Sequence, residues 1–250
     1  MARVGARSIG PLGEIRAGDD LAALIAVTPL GTELADGQLV AIAHKVVSKA
    51  EGAVVELAGV QPSARARELG AEQERDPRAI QVVLDQSAEI LRAQRGVLIT
   101  RTHHGFVCAN AGVDASNAES GTLIVLPPDP DASARRIRAR LLELTGAAVG
   151  VLITDSFGRA WRHGQLDVAI GLAGLQPLDD WRGRTDAHGL ELRATWLAVA
   201  DAAAALADLA RAKDAREPVV IVDGLERFAT AADGPGAAAL LRPLDEDLFR

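Results

Sequence analysis

The chain has 250 residues, of which 48% are hydrophobic and 24% charged; 27 Lys+Arg stand against 34 Asp+Glu, a formal net charge of −7. That composition suffices for a sizeable globular core, and its acidic balance argues against a general nucleic-acid or anionic-membrane binder, though a local basic site stays open. A single cysteine excludes an internal disulfide framework and a cysteine-built zinc cage. Apolar runs fall far short of the roughly 18 residues that suggest a membrane span. The first residues, MARVGARSIGPLGEIRAG, lack the apolar centre of a signal peptide, so a soluble cytoplasmic protein is expected. Aromatic residues make up only 3%, with no tyrosine, so the core must be built from small aliphatic side chains; Trp161, Trp181 and Trp196 all fall in the second half.

In chain order, residues 18–29 read as a helix with acidic residues at its start and Pro29 at its end. Leu39 to Ala43 reads as a buried strand running into His44-Lys45. Residues 63–94 are charged and periodic with a break at Asp76-Pro77, which predicts two helices, and Val97 to Thr100 is a strand after Gly96. A strand over 122–126 leads through Pro127 to Pro130 into a helix that Asp131 or Ser133 can cap, with Ile137, Leu141 and Leu144 as its apolar stripe. The strand 148–154 ends at Asp155. Residues 157–193 show little periodicity and read as a long irregular stretch of the kind that often carries function. An alanine-rich helix at about 195–213 and the strand PVVIV at 218–222 complete a mixed α and β chain without strict β-α alternation. No internal repeat or linker divides it, so residues 1–250 are expected to form one domain.

The familiar phosphate and hydrolase motifs are absent: there is no GxxxxGK[ST], no complete dinucleotide fingerprint, no GxSxG and no HExxH. Four segments carry chemistry instead. Asp155-Ser156 at a strand end offers two hard oxygen donors suited to Mg²⁺ or Mn²⁺, although Asp is also common there as a turn residue. Cys108 to Asn117 is a small-residue loop in which Asp114 and Asn117 can converge on an ion or phosphate; turn formation is the plainer reading, and Cys108 is expected to be a core residue. His44 to Gly52 places Lys45, Ser48 and Lys49 where they can hold phosphates, or serve only as a solvated loop. Arg159, Arg162 and His163 add cations beside Asp155, as phosphoryl transfer requires, while Trp161 reads as a core anchor.

The segments PLGEI (11–15), GDDL (18–21), HKVVSKAEG (44–52), HGFVCANAGVDASN (104–117), PDPDASA (128–134), ITDSFGRAWRHGQ (153–165) and PVVIVDG (218–224) together resemble the coenzyme F420-0:L-glutamate ligase (gamma-glutamyl ligase) family over about residues 8–249. The resemblance implies a mixed α/β (α+β) fold of the F420 gamma-glutamyl ligase type, assembled as an intertwined homodimer. No C-terminal flavin-binding, nitroreductase-like domain of the kind found in two-domain relatives is expected. It implies GTP-dependent addition of L-glutamate to coenzyme F420-0, with further γ-linked glutamates in some relatives, through an acyl phosphate and with release of GDP and phosphate. Asp114, Asp155 and Ser156 would be divalent-metal ligands (Mg²⁺ or Mn²⁺, with K⁺ as a further ion). Leu12, Gly13, Glu14, Ile15, His44, Lys49 and Asn117 would contact the nucleotide. Asp155, Arg159 and Arg162 are the expected catalytic groups, the two arginines on charge alone. His44 departs from the Ser or Gln frequent in relatives, and Ala212-Lys213 stands where some relatives carry Gly then Glu or Gln. Two rival readings use the same residues: a metal-dependent phosphohydrolase, with water as acceptor, and a non-catalytic nucleotide-binding protein.

Overall fold

The computed structural model describes residues 3–116, 118–212 and 214–247. The first half contains β1 (Gly5–Ser8), α1 (Leu21–Ala26), β2 (Leu39–Ala43), α2 (His44–Ala50), β3 (Val54–Glu56), α3 (Ala64–Glu72), α4 (Pro77–Asp85), β4 (Ser87–Gln94), β5 (Val97–Thr102), β6 (Val107–Ala109) and β7 (Thr122–Ile124). The second contains α5 (Pro130–Thr145), β8 (Gly150–Arg159), β9 (Arg162–Ala173), β10 (Leu178–Asp180), β11 (Trp196–Ala198), α6 (Val199–Ala210) and β12 (Val219–Asp223). The expected mixed α/β class is therefore observed.

The main sheet has the order β1–β12–β2–β8–β9, in which only β2 and β8 run parallel. Strand alternation sends successive side chains to opposite faces. Val40, Ile42, Val151 and Ile153 pack against Ile25 of α1 and Leu141 of α5 on one side. Leu39, Ala41, Leu152, Val220 and Val222 meet α6 on the other, where Ala203, Ala204 and Ala207 are buried. Two-sided burial explains the unbroken apolar runs of β2 and β12. The small side chains of α6 supply an apolar face without bulk, which accounts for a core with so few aromatics.

A smaller cluster, Leu69, Ile80, Val83 and Leu98, joins α3 and α4 to the β4–β5–β6 sheet. The two helices expected over 63–94 are present but end at Asp85; Ser87–Gln94 is a strand. Its half-exposed residues mix charged and apolar types, so the run imitates helical periodicity while pairing antiparallel with β5. The strand at 148–154 continues through Asp155 to Arg159 and turns back as β9, so part of the stretch read as irregular is a long hairpin. Trp161 occupies its turn at φ 59° and is 82% exposed; it is not a core anchor. The cap of α5 is Asp129, whose side chain accepts from the Ala132 amide, and not Asp131 or Ser133. No helix among the described residues is long and apolar enough to cross a membrane.

Gly171 on β9 lies so close to the first turn of α5 that an added Cβ would sit 2.4 Å from the Pro130 carbonyl oxygen. Backbone cannot yield as a flexible side chain can. Gly171→Ala should lower stability by about 1–3 kcal/mol, measured as a shift in urea midpoint at unchanged slope.

Candidate active site

Chain direction gathers one group of segments at one end of the main sheet. The parallel strands β2 and β8 both point their C-terminal ends there, the position where open α/β sheets bind ligands. β12 runs the other way, so Arg216, Glu217 and Pro218 precede it at that end; the Ala43 amide donates to the Pro218 carbonyl at 2.8 Å. β1 is antiparallel to β12 and delivers Leu12 to Ile15 to the same place, pinned by the Leu12 amide on the Arg216 carbonyl at 3.3 Å. Together they enclose a cavity of about 510 Å³.

β2 passes into α2 without a loop, and its pairing with β8 stops at Ala43–Thr154. Beyond Thr154, β8 has no paired strand on the β2 side among the described residues, and Asp155 and Ser156, on opposite faces of the strand, both line the cavity. A register shift between Ile153 and Thr154, which leaves Ile170 of β9 as the extra residue, sits just before these side chains; such bulges re-aim side chains.

His44, 2% exposed, places its imidazole Nε2 3.2 Å from Asp155 Oδ1 and its Nδ1 3.4 Å from Ser48 Oγ. The Nε2 contact is not aligned as a hydrogen bond, so this buried nitrogen lacks one. Lys49 Nζ donates to Glu14 Oε1 at 2.6 Å, which draws the Glu14 carboxyl below its ordinary value. Lys45 Nζ lies 2.7 Å from Asp114 Oδ2 and donates to Ser116 Oγ at 2.8 Å. Burial pushes the Asp114 carboxyl up, but the Lys45 ammonium and the Ser116 amide outweigh it, so it lies below the usual range. Asp114 follows three consecutive left-handed residues, Asn110, Ala111 and Gly112, a tight turn that Arg75 holds through a 2.7 Å bond to Asn110 Oδ1.

The cavity also exposes a cluster that sequence reasoning missed. Asp167, on β9 opposite Ser156, accepts from Ser156 Oγ at 2.6 Å and from Thr154 Oγ1 at 2.8 Å. Arg211, at the end of α6, approaches Asp167 Oδ2 at 3.3 Å. Burial pulls its guanidinium below the ordinary value, against Asp167 and Asp208. The signal for Asp167 was its place in an antiparallel hairpin facing Ser156, which is visible only once that hairpin is recognised.

Of the expected site residues, Leu12, Gly13, Glu14, Ile15, His44, Lys49, Asp155 and Ser156 line this one cavity, and Asp114 is tied to its rim through Lys45. Asn117 and Lys213 lie outside the described residues. Arg159 and Arg162 are exposed near the hairpin tip and do not line the cavity; Arg159 Nη2 instead donates to the His163 carbonyl at 2.6 Å. Lys45, Arg211 and Arg216 supply cations there.

The donor set suits a hard divalent ion held jointly with a phosphate, because Mg²⁺ commonly takes one or two protein carboxylates and completes its shell with phosphate and water. Asp155, Ser156 and the neighbouring Asp114 provide such oxygens. Among the described residues no group of three His, Cys, Asp or Glu side chains could hold an ion on its own.

A cavity lined by paired carboxylates, lysines and a buried arginine is chemically suited to anionic ligands. The sequence profile of F420-0:Gamma-glutamyl ligase matches residues 11–224. The coenzyme F420:L-glutamate ligase of Methanopyrus kandleri is 46% identical over 239 residues, covering 95% of this chain and 94% of that protein. Those of Methanothermobacter thermautotrophicus and Archaeoglobus fulgidus are 42% identical over 239 residues (94% of each chain) and 41% identical over 237 (94% of this chain, 92% of the relative). The chain belongs to the F420-0:gamma-glutamyl ligase family.

Cys108 is buried behind this site, as expected of a core residue. Burial, with a smaller push from the Asp155 charge, raises its thiol from 9.0 to about 12, leaving about a thousandfold less thiolate than an unperturbed thiol at the same mildly basic pH. A thiol-disulfide reagent at pH near 8 should therefore leave the native chain unmodified and label it one-for-one after unfolding, followed by absorbance.

Proposed function

We propose that the chain is a cytoplasmic enzyme that joins L-glutamate to coenzyme F420-0 at the expense of GTP, adding further γ-linked glutamates if the product re-enters the site. The observation that carries this reading is the convergence of the PLGEI, HKVVSK and TDS segments on one cavity at the ends of β2 and β8; family membership supports it. A carboxylate is a poor electrophile until one oxygen becomes a leaving group. Transfer of the γ-phosphoryl group to the F420-0 carboxylate forms an acyl phosphate and releases GDP. The glutamate nitrogen then forms the new C–N bond, the C–O bond to phosphate breaks, and the ammonium protons pass to solvent or a nearby base.

Each group in the cavity has work in that scheme. Lys45 and Lys49 lie where they can meet the polyanionic nucleotide, exchanging Asp114 and Glu14 for phosphate oxygens. Leu12 to Ile15 shape the wall beside it, and His44, with Asn117, completes the nucleotide contacts. Asp155, Ser156 and Asp114 would hold Mg²⁺ or Mn²⁺, with K⁺ as a possible companion; such an ion neutralises developing phosphate charge. Arg159 and Arg162 can serve substrate carboxylates only if a second copy of the chain brings them to a cavity. The exposed apolar side chains Trp161, Leu190, Trp196 and Leu197 support a homodimer through these outer hairpins. Sedimentation should give twice the chain mass, and Trp196→Asp should shift it toward the monomer; a monomeric parent chain would defeat this assignment.

The chemistry is tested by incubating F420-0, GTP and glutamate with Mg²⁺ or Mn²⁺ and reading products by mass spectrometry. One or more glutamyl additions, each matched by GDP, are expected, and Asp155→Asn should slow turnover about 100-fold or more. GDP release without F420-0 or glutamate would favour a phosphohydrolase, and no glutamylated product with either metal would overturn the ligase reading.

A further inference from the structure

Resting on that reading of the site, we infer that Lys45 is a tethered stand-in for the metal: it fills the cation seat at Asp114 until a nucleotide draws it away, so that metal enters with the nucleotide and not ahead of it. Asp114 is held from two sides. Its Oδ1 accepts from the Ser116 amide at 2.5 Å, and its Oδ2 lies 2.7 Å from the Lys45 ammonium, which also donates to Ser116 Oγ at 2.8 Å. Magnesium binds oxygen at about 2.1 Å, so an ion on Oδ2 would stand no more than about 5 Å from that ammonium. Like charges that close repel strongly outside bulk water. Asp114 therefore receives a metal well only after Lys45 has left.

The structure lets Lys45 leave. Its side chain is 26% exposed and that of Asp114 36%, and a part-exposed pair of this kind is held only weakly. Lys45 also lines the cavity, where a polyphosphate would offer its ammonium several oxygens in exchange for one carboxylate. The helix need not move. Buried His44, Val47 and Ser48 anchor α2, and the four-carbon stem of a lysine carries its charge to a new partner by rotation alone.

The neighbouring pair supplies the contrast. Lys49 donates to Glu14 Oε1 at 2.6 Å in the same cavity, a carboxylate with no part in the metal assignment. Each lysine brings one positive charge to the cavity wall, but it is Lys45 that sits on an assigned ligand. Linkage between binding events is reciprocal. Nucleotide that removes Lys45 raises the affinity for metal, and metal at Asp114 raises the affinity for nucleotide.

The test is the affinity of the full chain for Mn²⁺ alone, without nucleotide, read from free Mn²⁺ by electron paramagnetic resonance. Lys45→Met, which keeps the stem and removes the charge, should bind Mn²⁺ about tenfold tighter than the parent. Lys45→Arg should stay close to the parent, because a guanidinium still covers Asp114. Lys49→Met should gain far less, and the Lys45→Met/Asp114→Asn double variant should lose the gain. With a saturating non-hydrolysable GTP analogue the parent and Lys45→Met should bind Mn²⁺ alike; the analogue's own hold on Mn²⁺ is common to both and cancels. If Lys45→Met fails to fold, Lys45→Gln carries the same comparison. Unchanged Mn²⁺ affinity in the neutral variant, an equal gain in Lys49→Met, or a gain that survives Asp114→Asn would overturn the stand-in role. A parent chain that makes no glutamylated product, while Lys45→Met shows the full gain, would uphold the role of Lys45 and defeat only the ligase reading.

Discussion

The parallel pairing of β2 with β8 is the constraint on which the rest of the molecule depends. It is the one parallel contact in the main sheet, and it sets the C-terminal ends of two apolar strands side by side. Every other strand of that sheet is antiparallel to its neighbour, so each contributes an entering or leaving loop at the same edge. The burial of β2 and β8 between α1 with α5 and α6 makes this junction rigid. Polar groups built at its rim inherit that rigidity.

Charge at the site follows from the same geometry. A chain with a net charge of −7 must concentrate its cations if it is to receive anionic substrates. It does so with Lys45 and Lys49 on the first turns after β2 and with Arg211 at the end of α6. Each is engaged by an acidic partner: Asp114, Glu14 and Asp167 respectively. The two lysine pairs are part-exposed and exchangeable, since such pairs contribute little to stability. The arginine pair is buried. Two kinds of cation thus coexist in one cavity, one able to change partners and one fixed.

The sequence made the central strands and most of the cavity legible because both are local signals. LVAIA and PVVIV are buried on two faces and read as strands without ambiguity, and the segments PLGEI, HKVVSK and TDS each keep their functional side chains within a few residues. What stayed hidden depends on pairing across distance. Ser87–Gln94 mixes charge and apolar residues as a helix would, and only its partner β5 makes it a strand. The β8–β9 hairpin carries Gly, Arg and His at its outer end, where no core imposes alternation. With that hairpin unread, Asp167 had no visible relation to Ser156, and Arg211 looked like any basic residue closing a helix. The expectation that Arg159 and Arg162 lie beside Asp155 failed for the opposite reason: adjacency along an extended strand carries side chains away at about 3.3 Å per residue.

The placement of the indoles has an optical consequence. Trp161 stands in the β8–β9 turn, 82% exposed, Trp196 lies under the Arg182 guanidinium, and Trp181 donates through its ring nitrogen to Asp179 on the outer β10–β11 ribbon. None belongs to the packed clusters of the core, and there is no tyrosine to add a signal. Intrinsic fluorescence of this protein is therefore a local reporter of its outer hairpins. It will register their contacts with a partner or substrate while remaining nearly blind to loosening of the aliphatic interior.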